Sequence, residues 1–229
     1  MARPVGSGRL AVAMKPPATA RLYTFVDTAY LHGRDPAEVT RQLCDGGSDL
    51  VQLRAKGSSL DETRRLAEAV LPVCERAGVR FVLNDHPKLA LQLGAPCCHL
   101  GQEDFFDAGY RMAAQVTGCP PQMQLGLSTH SPDQALRALR AAPDYIAIGP
   151  VFPTGTKPDR PAVTLDYVRW AAETVTVPWF AIGGIHLDNL DSVLAAGARR
   201  ICVVSAILNA PDVAAACREF RRRIELSAV

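Results

Sequence analysis

A chain of 229 residues, 48% of them apolar and with a formal charge of +2, is long enough to bury one sizeable core. That balance excludes an acidic tail and argues against a polyanion-binding surface, so no nucleic-acid partner is expected; the basic run at residues 218–223 reads as the solvated face of a C-terminal helix. No apolar run approaches the ~20 residues of a membrane span, and seven cysteines without C-x-x-C spacing support neither a disulfide framework nor a zinc site. Free thiols in a reducing cytoplasm are the expectation.

The first twenty residues are rich in Pro, Gly and Ala, so residues 1–20 are expected to be a disordered tail, with Met14 as an alternative start. From Arg21 onward short apolar runs alternate with amphipathic stretches. Strand candidates fall at residues 22–26, 50–54, 80–84, 97–100, 124–128, 145–150, 179–183 and 201–205. Helix candidates fall between them at 37–43, 61–77, 87–93, 132–141, 165–175, 187–196 and 212–225, with Gly78, Gly94 and Gly197 placed to end helices in the left-handed conformation. Eight strand–helix units imply parallel pairing with right-handed crossovers. The expected fold is a single-domain (β/α)8 TIM barrel over residues 21–226. A doubly wound sheet is the alternative, but no G-x-G-x-x-G follows the first strand.

Catalytic groups in such barrels sit where strands run into the next loop. After the second strand come Gln52, Arg54 and Lys56, spaced by two and therefore on one face of an extended chain. A planar fork and a mobile point charge suit a multiply charged anion; a solvent-exposed strand end is the bland reading. The third strand ends in Asn84-Asp85, and the fourth leads into Gln102-Glu103-Asp104. Asp85 and Asp104 read either as helix caps or as the one or two carboxylates that a Mg²⁺–diphosphate needs. The fifth strand brings Ser128, Thr129 and His130, the histidine being a base or a packed polar group. Thr154, Gly155, Thr156 and Lys157 follow the sixth, a set suited to an oxyanion although not in Walker order. Gly183-Gly184 and Val204-Ser205 end the last two strands, where backbone N–H groups often hold phosphate.

Taken in order, these motifs resemble the thiamine-phosphate synthases. The marks are Gln52-Leu53-Arg54-Ala55-Lys56, Asn84-Asp85, His99-Leu100-Gly101-Gln102-Glu103-Asp104, Gly126-Leu127-Ser128-Thr129-His130, the Gly149 to Lys157 loop, Ile182-Gly183-Gly184-Ile185 and Val203-Val204-Ser205-Ala206-Ile207. The resemblance implies a Mg²⁺-dependent cytoplasmic transferase. It would join 4-amino-2-methyl-5-hydroxymethylpyrimidine diphosphate to 4-methyl-5-(2-hydroxyethyl)thiazole phosphate, or to its carboxylated form, giving thiamine phosphate and diphosphate. It further implies that Gln52, Arg54, Lys56, Asn84, Ser128 and Lys157 hold the pyrimidine diphosphate, with Arg54, Lys56, Ser128 and Lys157 catalytic. Asp85 and Asp104 would bind Mg²⁺, and Thr154, Thr156, Gly184, Val204 and Ser205 the thiazole phosphate. Ala55 departs from the glutamate common at that place, and Cys97-Cys98 from small or acidic residues. The expected partners are small-molecule substrates, with a homo-oligomer as an allowed assembly. A thiazole tautomerase-like enzyme and a non-catalytic ligand sensor on the same fold are the rival readings.

Overall fold

A computed structural model describes residues 16–154 and 162–227. Its strands are β1 (Leu22–Asp27), β2 (Leu50–Arg54), β3 (Arg80–Asn84), β4 (Cys97–Gly101), β5 (Gln124–Thr129), β6 (Tyr145–Ile148), β7 (Trp179–Ile182) and β8 (Ile201–Cys202). They pair in sequence order, all parallel, and β8 closes on β1. The helices are α1 (Pro36–Asp45), α2 (Leu60–Ala77), α3 (Pro87–Leu93), α4 (Gln102–Asp107), α5 (Ala114–Thr117), α6 (Pro132–Arg140), α7 (Thr164–Thr174), α8 (Leu187–Ala195), α9 (Ser205–Leu208) and α10 (Val213–Leu226). This is the expected (β/α)8 barrel. The short helices α4, α5 and α9 were not anticipated, because four to six residues carry too little periodicity to register. The last strand is shorter than expected: it ends at Cys202, Val203 N still donates to the Tyr23 carbonyl, and Val204 and Ser205 lead into α9.

Local chemistry explains the longer elements. Ser59 caps α2 by accepting from Glu62 N, with Asp61 and Glu62 in its first turn and Arg76 in its last, where each charge complements the helix dipole. Gly78 and Gly94 end α2 and α3 at φ 67° and 66°, a region where a Cβ would be strained. Gly197 lies two residues past the end of α8, and a Cβ there would sit 2.6 Å from the Ala172 Cβ. Residues 1–15 of the expected tail lie outside the described residues. Residues 16–20 form a turn tied down by the Arg200 guanidinium donating to the Ala18 carbonyl, with Ala20 fully buried.

Inside the barrel, three rings from different strands fill the middle. Tyr23 (β1), Tyr145 (β6) and Phe180 (β7) meet edge to face, with centroids 5.3 to 6.1 Å apart. Gly126 of β5 makes room for them: a Cβ on it would lie 2.1 Å from Tyr145 Cζ. At the N-terminal face Asp49 accepts from the Arg21 and Leu22 backbone N–H groups and ion-pairs with Arg221 of α10. That closes the bottom of the barrel and leaves the C-terminal mouth for chemistry. Of the seven thiols, Cys119 is exposed and Cys44 half-buried; the other five are buried, as expected for structural cysteines. Among the described residues no helix is long and apolar enough to cross a membrane.

Candidate active site

A cavity opens at the C-terminal ends of the strands, the face where barrels of this kind take their ligands. Its lining includes Gln52, Arg54, Asn84, Ser128, Thr154, Gly184, Val204 and Ser205, all of them expected site residues. The β1–β5 side is built from side chains. Parallel register sets Asp27 of β1 opposite Arg54 of β2, and Arg54 Nη1 donates to Asp27 Oδ2 over 2.8 Å. The other Asp27 oxygen accepts from Ala29 N, capping a one-turn 3₁₀ helix at Thr28–Tyr30. Asp27 is fully buried, and removing its Arg54 partner would leave a buried polar group unpaired, which is costly. The guanidinium is in turn held in one orientation at the cavity edge. Gln52 is fixed the same way, donating to the Tyr23 hydroxyl over 2.6 Å.

The β6–β8 side is built from backbone. Val151 N donates to the Ile182 carbonyl and Phe152 N to the Gly183 carbonyl, which folds the segment after β6 across the end of β7. Glycine is required for that crossing. A Cβ on Gly183 (φ 104°) would sit 2.4 Å from Pro150 Cα, and one on Gly184 (φ 63°) 2.6 Å from the Pro153 carbonyl oxygen. The glycine pair was expected to let a ligand approach the backbone; what it accommodates within the protein is the neighbouring loop. The Gly184, Val204 and Ser205 N–H groups, beside Thr154, find no acceptor among the described residues. Preorganised donors of this kind are what an oxyanion uses. A second, open groove continues from Thr154, Gly184 and Ser205 towards His186, Asn189 and Asn209.

Three expected residues lie outside the cavity lining. Lys56 does not continue the face of Gln52 and Arg54: β2 ends at Arg54, and the Ser58 N to Ala55 carbonyl bond turns the chain, leaving Lys56 exposed. Asp85 and Asp104 follow the adjacent strands β3 and β4 at the same rim. The helix-cap positions belong to other residues, His86 for α3 and Gly101 for α4. Asp85 instead takes a left-handed φ of 64°, with Asn84 Nδ2 donating to its Oδ2 over 2.6 Å. That conformation is costly for an L-residue and clusters at functional sites. Asp104 lies in the first turn of α4 with its carboxylate folded over Gly101, so close that a Cβ on that glycine would be 2.5 Å from Oδ2. Among the described residues no group of three or more His, Cys, Asp and Glu gathers to cage a metal. Two hard carboxylates at one rim fit an ion that takes its remaining ligands from a diphosphate and water. Thr156 and Lys157 lie outside the described residues.

Sequence reasoning passed over Asp27, Tyr23 and Tyr145, and it gave His99 no role. Asp27 had a signal: in parallel neighbours the acid that ends β1 meets the cation that ends β2. The two tyrosines had none, since a strand tyrosine reads as core until its hydroxyl partners are known. His130, read as a base or a packed group, lines the cavity and donates from Nδ1 to the Gly149 carbonyl.

Comparison with known proteins sharpens this geometry. Residues 22–207 match the model of a family described as thiamine monophosphate synthase. The chain is 51% identical over 187 residues to the thiamine-phosphate synthase of Thermus thermophilus, covering 81% of this chain and 87% of that one. It is 44% identical over 213 residues to the thiamine-phosphate synthase of Acidothermus cellulolyticus, covering 92% and 98%. Among solved structures, the thiamine phosphate pyrophosphorylase of Pyrococcus furiosus superposes with a TM-score of 0.81 at 29% identity, covering 93% of this chain and 99% of that chain.

Proposed function

Because the chain belongs to the thiamine monophosphate synthase family and is a transferase of thiamine biosynthesis, we propose that it joins an aminopyrimidine methyl diphosphate to a hydroxyethylthiazole phosphate. The observation that carries this reading is the convergence on one cavity of two kinds of anion-binding wall. The charged and amide side chains of Gln52, Arg54 and Asn84, with the Ser128 hydroxyl, face the backbone donors of Gly184, Val204 and Ser205, which find no acceptor among the described residues. One wall suits a diphosphate, the other a monophosphate.

The reaction is a substitution at the pyrimidine methylene. The C–O bond to the diphosphate breaks, with its electron pair leaving on oxygen. The electron-rich aminopyrimidine delocalises the charge left on carbon, and the thiazole nitrogen lone pair forms the new C–N bond. Arg54, Lys56 and Lys157 stabilise the departing diphosphate, and Ser128 fixes its orientation. Asp85 and Asp104 would hold Mg²⁺, which when bound neutralises diphosphate charge. The monophosphate grip of Thr154, Thr156, Gly184, Val204 and Ser205 holds the nucleophile close to the carbon, so proximity supplies much of the rate.

Incubating the protein with both precursors and Mg²⁺, then oxidising the product to fluorescent thiochrome, tests the reading directly. Product is expected with metal and is lost with chelator; no product under either condition would remove the proposal. Asp85→Ala and Lys157→Ala are each expected to lower kcat by about a hundredfold or more, and near wild-type turnover in both would refute the leaving-group assignment.

A further inference from the structure

Behind the cavity a chain of hydrogen bonds crosses the barrel from β2 to β5. Gln52 Nε2 donates to the Tyr23 hydroxyl over 2.6 Å. The Tyr23 and Tyr145 hydroxyls are 3.1 Å apart, Tyr145 Oη is 3.2 Å from His99 Nδ1, and His99 Nε2 is 2.8 Å from Ser128 Oγ. Both ends of the chain, Gln52 and Ser128, line the cavity, as does His99. The tyrosines are about 1% exposed or less, and the His99 ring stacks on Tyr145 at 5.6 Å between centroids.

Proton counting gives this chain a direction. The Tyr23 oxygen accepts from an amide N–H, so its single proton is left for Tyr145. Tyr145 accepts that proton and passes its own to His99 Nδ1, which must then carry none. A neutral imidazole has its hydrogen on the remaining nitrogen, Nε2, which donates to Ser128 Oγ. The Ser128 hydrogen is thereby turned away from His99. The opposite direction would load Tyr23 oxygen with two donors and leave its own hydrogen buried without an acceptor, against the rule that buried donors are paired. An imidazolium would put donors on both nitrogens and break the chain at Tyr145. Burial raises both phenol pKa values well above the ordinary range, so neither tyrosine escapes the count by ionising.

We propose that His99 is a positioning residue, locked as its neutral Nε2–H tautomer by the Gln52–Tyr23–Tyr145 relay, so that Ser128 meets the substrate as a hydrogen-bond donor. The chain thereby selects for a ligand with a lone pair at that point, on a ring nitrogen or a phosphate oxygen. A ligand presenting only N–H or O–H there can use just the remaining Oγ lone pair and leaves the Ser128 hydrogen without an acceptor, so it is disfavoured. Gly126 belongs to the same device, since the Tyr145 hydroxyl can reach His99 only because no Cβ occupies the space beside the ring. The identity of the ligand rests on the function proposed above; the tautomer does not.

Long-range ¹H–¹⁵N correlation on histidine-labelled protein reads the ring directly, with His99 assigned by its loss in His99→Asn. Nδ1 is expected in the unprotonated range and Nε2 in the protonated range near neutral pH. A proton on Nδ1, or on both nitrogens, would overturn the proposal. Tyr145→Phe removes the donor to Nδ1 and is expected to leave a mixture of tautomers. The same variant should raise KM for the pyrimidine diphosphate about tenfold, with a smaller change in kcat. An unchanged tautomer and KM in that variant would equally overturn the relay. A wild-type ring in the Nε2–H form, in a protein that makes no thiamine phosphate, would uphold the relay while removing the proposed reaction.

Discussion

On the β1–β5 side of the cavity the working positions are side chains that hold one another, Asp27 with Arg54 and Gln52 through to Ser128. On the β6–β8 side they are backbone groups, exposed because Gly183 and Gly184 let one loop lie directly on another. The two sides therefore break in opposite ways. The first fails when a group is removed and its buried partner is orphaned; the second fails when an atom is added. On the reaction proposed above, the difference follows from the two anions: a diphosphate that must depart needs strong, oriented charge, whereas a monophosphate that stays needs only a fixed cradle of N–H donors.

The largest expected effect is on the side-chain wall. Arg54→Ala strips the cation from fully buried Asp27 and should cost about 3 to 5 kcal/mol of stability. Turnover should fall about a thousandfold, or ~4 kcal/mol of transition-state stabilisation. Urea unfolding and thiochrome turnover measure the two separately. A double variant, Asp27→Leu with Arg54→Met, should regain most of the stability and none of the activity. If Arg54→Ala is as stable as wild type, the wall is not held by its ion pair.

Adding one carbon should suffice on the other wall. Gly183→Ala places a Cβ 2.4 Å from Pro150 Cα at φ 104° and should cost about 2 to 3 kcal/mol. KM for the thiazole phosphate should rise roughly thirtyfold, equivalent to ~2 kcal/mol, with the pyrimidine KM little changed. A variant that shifts the pyrimidine KM instead would merge the two walls into one site.

The smallest effect near neutral pH is alkaline and comes from buried thiols and phenols in the barrel and under α10. Burial pushes the Cys97 and Cys217 thiols up to about 12 and raises the Tyr23 and Tyr145 phenols well above their ordinary value. Below ~8.5 folded and unfolded chains hold the same protons on these groups. Above it the unfolded thiols, and near ~10 the unfolded phenols, release protons that the folded chain keeps, so stability falls as pH rises. The slope is about 1.4 kcal/mol per pH unit for each group past its unfolded pKa. Urea midpoints at pH 7.5 and 10 check it, and a flat profile would contradict the burial of these groups.

Much of this molecule is written in its order of residues. Helix stops at Gly78 and Gly94, and the approximate starts of α2, α6 and α10, depend on contacts within one turn of chain and are legible there. Strand ends are legible less well, because pairing ends where a neighbour ends. That is why β8 stops at Cys202 and Lys56 leaves the face of Arg54. Six of the eight cavity residues named in advance were carried by side-chain type or local spacing. Gly184 and Val204 were carried by position at a strand end and by family likeness, since a backbone N–H has no letter of its own.

By itself, then, the sequence determined the alternation of eight strands and helices, and with it a barrel whose functional groups gather at one rim. Hydrophobic period and helix caps are local physics. Only the closed barrel decided that Tyr145, from the sixth strand, stands between Tyr23 of the first and His99 of the fourth. It alone determined that Gly126 is a vacancy for a ring and that Gly183 is a seat for a loop. Those facts depend on distances between residues far apart in the chain. A hydrogen bond or a steric gap forms only once every intervening strand has taken its place.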